Sequence, residues 1–218
     1  MSIHLQAELR QLNHRLLSLC TLVEDQAQTA VRALVERSHE LAEVVERTDP
    51  EVDRAEIEIE EECLKILALY QPVAVDLRLV VAVLKVNNDL ERIGDLAVNI
   101  ARKAAALASA PPLEVAVDVA AMWGQARRML HDSLDALVRG DAVLAADVRV
   151  RDDDVDRMKR HFRVTIEELI QSAPDRIDGL LRLLAVVRNI ERIADYATNI
   201  AEEVIYLVEG KITRHRAT

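Results

Sequence analysis

The chain has 218 residues, with 28 Lys and Arg against 38 Asp and Glu, a net charge of −10 at neutral pH and a hydrophobic share of 50%. Only five residues are aromatic (Tyr70, Trp123, Phe162, Tyr196 and Tyr206), so the core must be built from Leu, Val, Ile and Ala, and five Gly with five Pro supply too few turns for a many-stranded sandwich or barrel. The acidic balance argues against nucleic acid as a partner, because binding a phosphate backbone needs a basic surface that releases counterions.

Taken in chain order, Leu5, Leu9, Leu12, Leu16, Leu19, Val23, Ala27, Ala30, Val31 and Leu34 recur at threes and fours and predict a helix over residues 5–36. A second helical stretch runs from about 40 to 70, with Pro50 marking a break or fresh start that Thr48 or Asp49 would cap. Pro72 closes it, and a third helix follows from 73 to about 109, ahead of Pro111-Pro112. The second half repeats this plan: a helix over 113–139 stopped by Gly140, then helices over about 141–171 and 175–209 separated by Ser172-Ala173-Pro174-Asp175, with Gly210 as C-terminal cap. Strand patterns are essentially absent, so the fold class is all-α.

Cys20 and Cys63 sit in Leu-rich helical surroundings with no CxxC, and read as small buried hydrophobes in a reducing compartment. The N-terminus has no basic region followed by an apolar stretch, and no window of 18 uncharged apolar residues exists. The expectation is a cytoplasmic protein without direct membrane insertion.

An internal repeat organises the chain. Residues 90–101 read LERIGDLAVNIA and residues 190–201 read IERIADYATNIA, identical at eight of twelve positions with an offset of 100. Earlier in each half, Asp49-x-x-x-Asp53-Arg54 matches Asp152-x-x-x-Asp156-Arg157, and Ala33-Leu34-Val35 matches Ala136-Leu137-Val138, both at an offset of 103. A three-residue shortening near the second hairpin reconciles the offsets. The chain therefore reads as two tandem three-helix bundles, residues 1–110 and 111–218.

Within the repeat, Leu90, Ile93, Ala97 and Ile100 form the apolar stripe, while Glu91, Asp95 and Asn99 form a second stripe with a rise of about 6 Å per step. Glu191, Asp195 and Asn199 do the same in the second half. Carboxylates four residues apart repel by about 0.2–0.5 kcal/mol on an isolated helix, and a bound cation is one way to offset a penalty placed twice. Hairpin register brings partners to them. Asp53 and Glu91 both lie 19 residues from Pro72, and Asp49 and Asp95 both lie 23 away. The pairs Asp156/Glu191 and Asp152/Asp195 share a midpoint between Ala173 and Pro174. Straight helices would thus gather Asp49, Asp53, Glu91 and Asp95 in one cluster and Asp152, Asp156, Glu191 and Asp195 in another. Carboxylate-only ligation suits hard cations: Mg²⁺, Ca²⁺, Mn²⁺ or iron. The plainer alternative stays open: Asp49 as a helix cap, Glu91 paired with Arg92 or Arg54, and Asp95 paired with Arg92, each a surface ion pair of about 0–1 kcal/mol.

The remaining candidates carry less. Asp152-Asp153-Asp154 reads as a solvated helix start in which only Asp152 has a first-half equivalent, and the six His are scattered without the Glu-x-x-His spacing of a di-iron oxidase. No phosphate-binding glycine loop and no nucleophile motif is present. Asp76-Leu77-Arg78 reads either as an intrahelical ion pair or as a surface used by a partner.

The tandem repeat and the paired motifs Glu91-Arg-Ile-Gly-Asp95 and Glu191-Arg-Ile-Ala-Asp195, with Asp49/Asp53 and Asp152/Asp156 beside them, resemble the PhoU family of bacterial phosphate-transport accessory and phosphate-regulon proteins. The Asp76-Leu77-Arg78 element, the Asn99-Ile-Ala and Asn199-Ile-Ala-Glu continuations and Tyr206-Leu-Val-Glu-Gly210 are similar too, so the resemblance spans nearly the whole chain. It implies a cytoplasmic regulator rather than an enzyme, set between the ATPase subunit of the phosphate ABC transporter and the phosphate-sensing histidine kinase, restraining the kinase and uptake when phosphate is plentiful. It further implies a homodimer and metal ions (iron, zinc, manganese or magnesium) on the acidic motifs, with Arg92, Arg192, Asn99, Asn199, Asp76 and Arg78 as supporting or partner-contacting residues. Gly94 and Ala194 beside the motifs, and Arg188 where the first half has Asn88, are departures that would make the second site more positive and a poorer metal site. A metal-dependent enzyme and a purely structural helical scaffold are the two alternatives of other classes.

Overall fold

In the computed structural model, which describes residues 3–113, 115 and 117–210, six long helices and one short 3-10 turn make up the described chain, with no strand among the described residues. His215 and the end of the second predicted unit lie outside the described residues. The helices are α1 (Ile3–Val35), α2 (His39–Tyr70), α3 (Ala74–Ala108), α4 (Val119–Arg139), α5 (Ala142–Ser172) and α6 (Ile177–Glu209), the last preceded by the turn Pro174–Arg176. The boundaries have local causes. Ser38 caps α2 by accepting from the Leu41 N–H, Asp118 caps α4 at Ala121, and Asp141 caps α5 at Val143 and Leu144. Gly140 and Gly210 end α4 and α6 at φ of 62° and 70°, the left-handed conformation that glycine adopts without a Cβ penalty.

Three features differ from the sequence reading. Helix α2 runs unbroken through Pro50, so neither Thr48 nor Asp49 is a cap. Pro50 is exposed, and its ring denies Glu46 a helical partner. The turns on either side are held down by buried Val45 and Val52, and that packing outweighs the local cost. Helix α4 begins at Val119 rather than 113: Leu113, Val115 and Val117 alternate at period two and run as an irregular connection, partly buried against the core. The Asp152–Asp154 run lies inside α5, not at its start.

Helices α1 and α2 pack on α3, and α4 and α5 pack on α6. Helices α3 and α6 also pack on each other, α1 touches α4, and one continuous apolar core passes through all six helices. The wholly buried large side chains include Leu90, Ile93 and Ile100 of α3 with Met122, Met129 and Leu130 of α4. Polar ties also join the two halves: Lys85 Nζ lies 3.0 Å from a Glu203 carboxylate oxygen, and the Trp123 indole N–H donates to Gln28 Oε1 at 2.8 Å. Both cysteines are buried and free, and burial pushes each thiol up to about 12. No described helix is long and apolar enough to cross a membrane.

Candidate functional site

The buried stripe of α3 (Leu90, Ile93, Ala97 and Ile100) fixes the helix's rotation and so places Glu91 and Asp95 along its edge facing α2. From α2 come Asp49, Asp53 and Glu56. These groups lie near enough for their charges to act on one another. Desolvation by burial raises the Asp49 carboxyl, and the nearby charges of Asp53 and Asp95 raise it further. Glu91 is raised by burial, then by Asp95, with Glu56 and Asp53 adding to the effect. Glu56 is raised by burial, then by Glu60 and Asp53. Asp49, Asp53, Glu91 and Asp95 are thus brought together, and Glu56 joins them.

Two buried amides support this cluster. Gln26 of α1 is only 3% exposed, and its Nε2 donates to the Val45 carbonyl at 3.3 Å and to Asp49 Oδ1 at 3.4 Å. Asn87, 1% exposed and one turn before Glu91, donates through Nδ2 to the Glu56 carbonyl at 2.9 Å and to Glu56 Oε1 at 3.3 Å. The amide oxygens, Gln26 Oε1 and Asn87 Oδ1, are buried with no hydrogen-bond partner. Gln26 Oε1 faces Gly94, the residue beside Asp95, where a Cβ would approach it to 3.1 Å.

The second cluster lies between α5 and α6. Burial raises Asp152, with Asp156 and Glu191 adding repulsion. Asp195 is pushed up to about 6 by desolvation first and then by Glu191 and Asp152, although its side chain still reaches solvent at the edge of this crowded crevice. Here Lys159 enters the acids. Its ammonium donates to Glu191 Oε1, lies 3.8 Å from Asp156 Oδ1, and lowers the Asp195 carboxyl against the trend of its neighbours.

Arg92 pairs with both neighbours on its own helix, 3.4 Å from Glu91 and 3.5 Å from Asp95, so the surface-pair alternative is partly realised. Arg192 is exposed beside Glu191. Asn99 is exposed and gives its carbonyl to Lys103 at 3.3 Å, and Asn199 is half-buried one turn beyond Asp195. Asp76 and Arg78 sit at the far end of α3, about 20 Å from Glu91 at the helical rise. There Asp76 lines a cavity with Leu5, Tyr70 and Pro72, while Arg78 lies against Gly210, so neither belongs to the acidic cluster. Arg188 and Asn88 are both exposed, and it is Lys159 that carries positive charge into the second cluster.

The chemistry of the donor sets differs. The first set holds carboxylates and buried amide oxygens, all hard oxygen donors that fit a cation such as Mg²⁺, Mn²⁺ or iron. As placed, no group of three His, Cys, Asp or Glu among the described residues stands ready to share one ion, so ligation there requires carboxylate side chains to turn inward. The second set already contains an ammonium. Sequence reasoning missed Gln26, Glu56, Asn87 and Lys159. Their signals were a Gln amid the apolar stripe of α1, the residue four before Glu91, and the 103-residue offset that aligns Glu56 with Lys159.

Comparison with known proteins gives a consistent result. The family model described as the PhoU domain matches this chain twice, over residues 16–104 and 119–204. The phosphate-specific transport system accessory protein PhoU homolog of Pseudomonas putida is 41% identical over 213 residues, covering 96% of this chain and 82% of the relative. That of Aquifex aeolicus is 37% identical over 209 residues, covering 96% and 95%. The crystal structure of PhoU from Pseudomonas aeruginosa superposes with a TM-score of 0.88 at 40% identity, over 94% of this chain and 99% of that one. The phosphate transport system regulatory protein PhoU from Streptococcus pneumoniae gives 0.84 at 29% identity, over 96% and 99%. With both halves matched and the fold shared over nearly its full length, the chain belongs to the PhoU family.

Proposed function

We propose that this protein is a regulatory accessory component of phosphate transport. It would act as an adapter between the ATPase subunit of the phosphate ABC transporter and the phosphate-sensing histidine kinase, and as a negative regulator of the phosphate regulon. The observation that carries this reading is the match of both repeats, over nearly the whole chain, to phosphate-specific transport accessory proteins. The construction agrees with it: long rigid helices present extended faces for docking. The acidic cluster between α2 and α3, with its side chains turned inward, would serve as a hard-cation site that draws the two helices together, with Asp49, Asp53, Glu91 and Asp95 as ligands. In this reading the protein works without turnover, in the cytoplasm and as a homodimer.

The test is alkaline phosphatase activity in phosphate-replete cells with the gene deleted and then restored. Activity that rises on deletion and falls on restoration supports the negative regulator, and unchanged activity overturns it. Co-purification of the transporter ATPase and the kinase with the tagged protein tests the adapter separately.

A further inference from the structure

The repeat matches the two acidic clusters position by position, yet three positions change together. Gln26, Glu56 and Asn87 of the first cluster correspond to Met129, Lys159 and Val187 of the second. Each change has a structural consequence. Glu56 adds a carboxylate to the first cluster, and Asn87 holds it there through Nδ2. Gln26 is buried against Asp49 with its Oε1 unpartnered beside Gly94. In the second half the corresponding Met129 and Val187 are buried apolar side chains that bring no amide to the cluster. The Lys159 ammonium bonds Glu191 and stands 3.8 Å from Asp156.

We propose that Lys159 is the resident cation of the second cluster, so that the two halves are unequal and only the first cluster, completed by Glu56 and the buried amides Gln26 and Asn87, takes up a hard metal ion. A tethered ammonium at this place opposes a divalent ion in two ways. It occupies the Glu191 oxygen that such an ion would ligate, and it repels the ion at short range. In the first cluster the equivalent place holds another carboxylate, and the cation beside it, Arg92, stays at the solvent-facing edge of α3, 51% exposed and 3.4–3.5 Å from Glu91 and Asp95. There the unpartnered Gln26 Oε1, buried beside Gly94, is a neutral oxygen donor of the kind hard cations accept. This inference rests on the metal-binding part of the proposed function and assigns that binding to one half.

The experiment uses the intact chain, stripped with chelator, dialysed and titrated with Mn²⁺. Bound metal is counted by the loss of the free-ion paramagnetic resonance signal, and circular dichroism checks the fold of every variant. Wild type is expected to bind at one class of site. Glu56→Lys, which copies the second cluster into the first, is expected to weaken that binding by roughly 10–100-fold, the range found when a group supporting a metal ligand is lost. Lys159→Glu is expected to create a second class of site, with Lys159→Gln giving a weaker version should the added charge impair folding. Wild-type binding that survives Glu56→Lys but falls with Asp195→Asn would overturn the assignment, as would a wild type already carrying both classes. Absence of Mn²⁺ binding in the wild type and in Lys159→Glu alike would instead remove the metal reading itself, an outcome distinct from two equal sites.

Discussion

Lys85 and Glu203 form an ion pair across the α3–α6 interface at 3.0 Å, with the Lys85 ammonium 5.2 Å from the ring centre of Tyr206. The two ends are unequal: Glu203 is 2% exposed, while Lys85 keeps 39% of its side chain in solvent. The buried carboxylate is thus balanced in part by an ammonium that reaches in from the surface. Removing that ammonium takes away countercharge while the buried charge stays, whereas removing both groups does not. Lys85→Met is expected to destabilise the protein by about 2 kcal/mol, below the 3–5 kcal/mol of a fully buried pair because one end is solvated. Lys85→Met with Glu203→Leu should recover most of the loss. Urea unfolding of the single and double variants measures both, and an additive double variant would contradict this account.

Pro50 offers a gain rather than a loss. It lies in the interior of α2, exposed, where the second half places Asp153 in an equally continuous helix. Proline in a helix interior is about 3 kcal/mol less favourable than alanine, part of which is offset by the entropy it removes from the unfolded chain. Pro50→Ala should therefore stabilise the protein by about 1–2 kcal/mol, read as a raised denaturant midpoint at constant slope.

The same position shows what sequence could and could not deliver. Proline punctuation implied a break at residue 50, and local chemistry favoured one. Buried Val45 and Val52, five residues before it and two after, decide otherwise, and their effect is tertiary. The helices themselves were legible because the 3.6-residue spacing of Leu90, Ile93, Ala97 and Ile100 admits one rotation only, and that rotation also brings Glu91 and Asp95 to the α2 side. Lys159 was harder to see. It carries no motif, and its meaning emerges only when the 103-residue offset is carried past Asp53 to Glu56. Gln26 was hidden for a different reason, since a polar residue on a long helix reads as surface until its neighbours close over it.

Gly94 and Ala194 occupy equivalent positions, and the difference follows from what faces them. A Cβ at Gly94 would meet Gln26 Oε1 at 3.1 Å and Val52 Cγ1 at 3.2 Å, while Ala194 is fully buried in a cluster where Met129 replaces the glutamine. Alanine gains about 1 kcal/mol of helix propensity over glycine. Displacing an amide held by Val45 and Asp49 costs about as much or more. Gly94→Ala is expected to destabilise by about 0.5–1 kcal/mol, and Gly94→Ala with Gln26→Met, which reproduces the second half, to lie above the single variant in thermal unfolding. Equal melting of the two variants would remove Gln26 as the cause.

The acidic clusters also set a pH dependence with a definite sign. Asp195 is raised from 3.8 to about 6 in the folded protein, chiefly by desolvation and then by Glu191 and Asp152, with Lys159 and Asp156 also facing it. Asp49, Glu56, Glu91 and Asp152 move in the same direction. A group whose folded pKa is raised binds its proton more tightly when folded. Its stabilising contribution is therefore complete below the unfolded value and is lost as pH rises through the folded one. The metal-free protein should thus lose stability from these groups between about pH 4 and pH 6, opposite in sign to a salt-bridged carboxylate. A two-unit shift corresponds to about 3 kcal/mol for a sealed group. With Asp195 reaching solvent, about 1 kcal/mol is expected from it. Asp195→Asn should accordingly raise the melting temperature at pH 7.5 in chelator and leave it nearly unchanged at pH 4, where the wild-type carboxyl is already largely protonated. A variant that melts lower than wild type at pH 7.5 would mean that the Lys159 ammonium, rather than the repulsion among the acids, dominates the energy of this crevice.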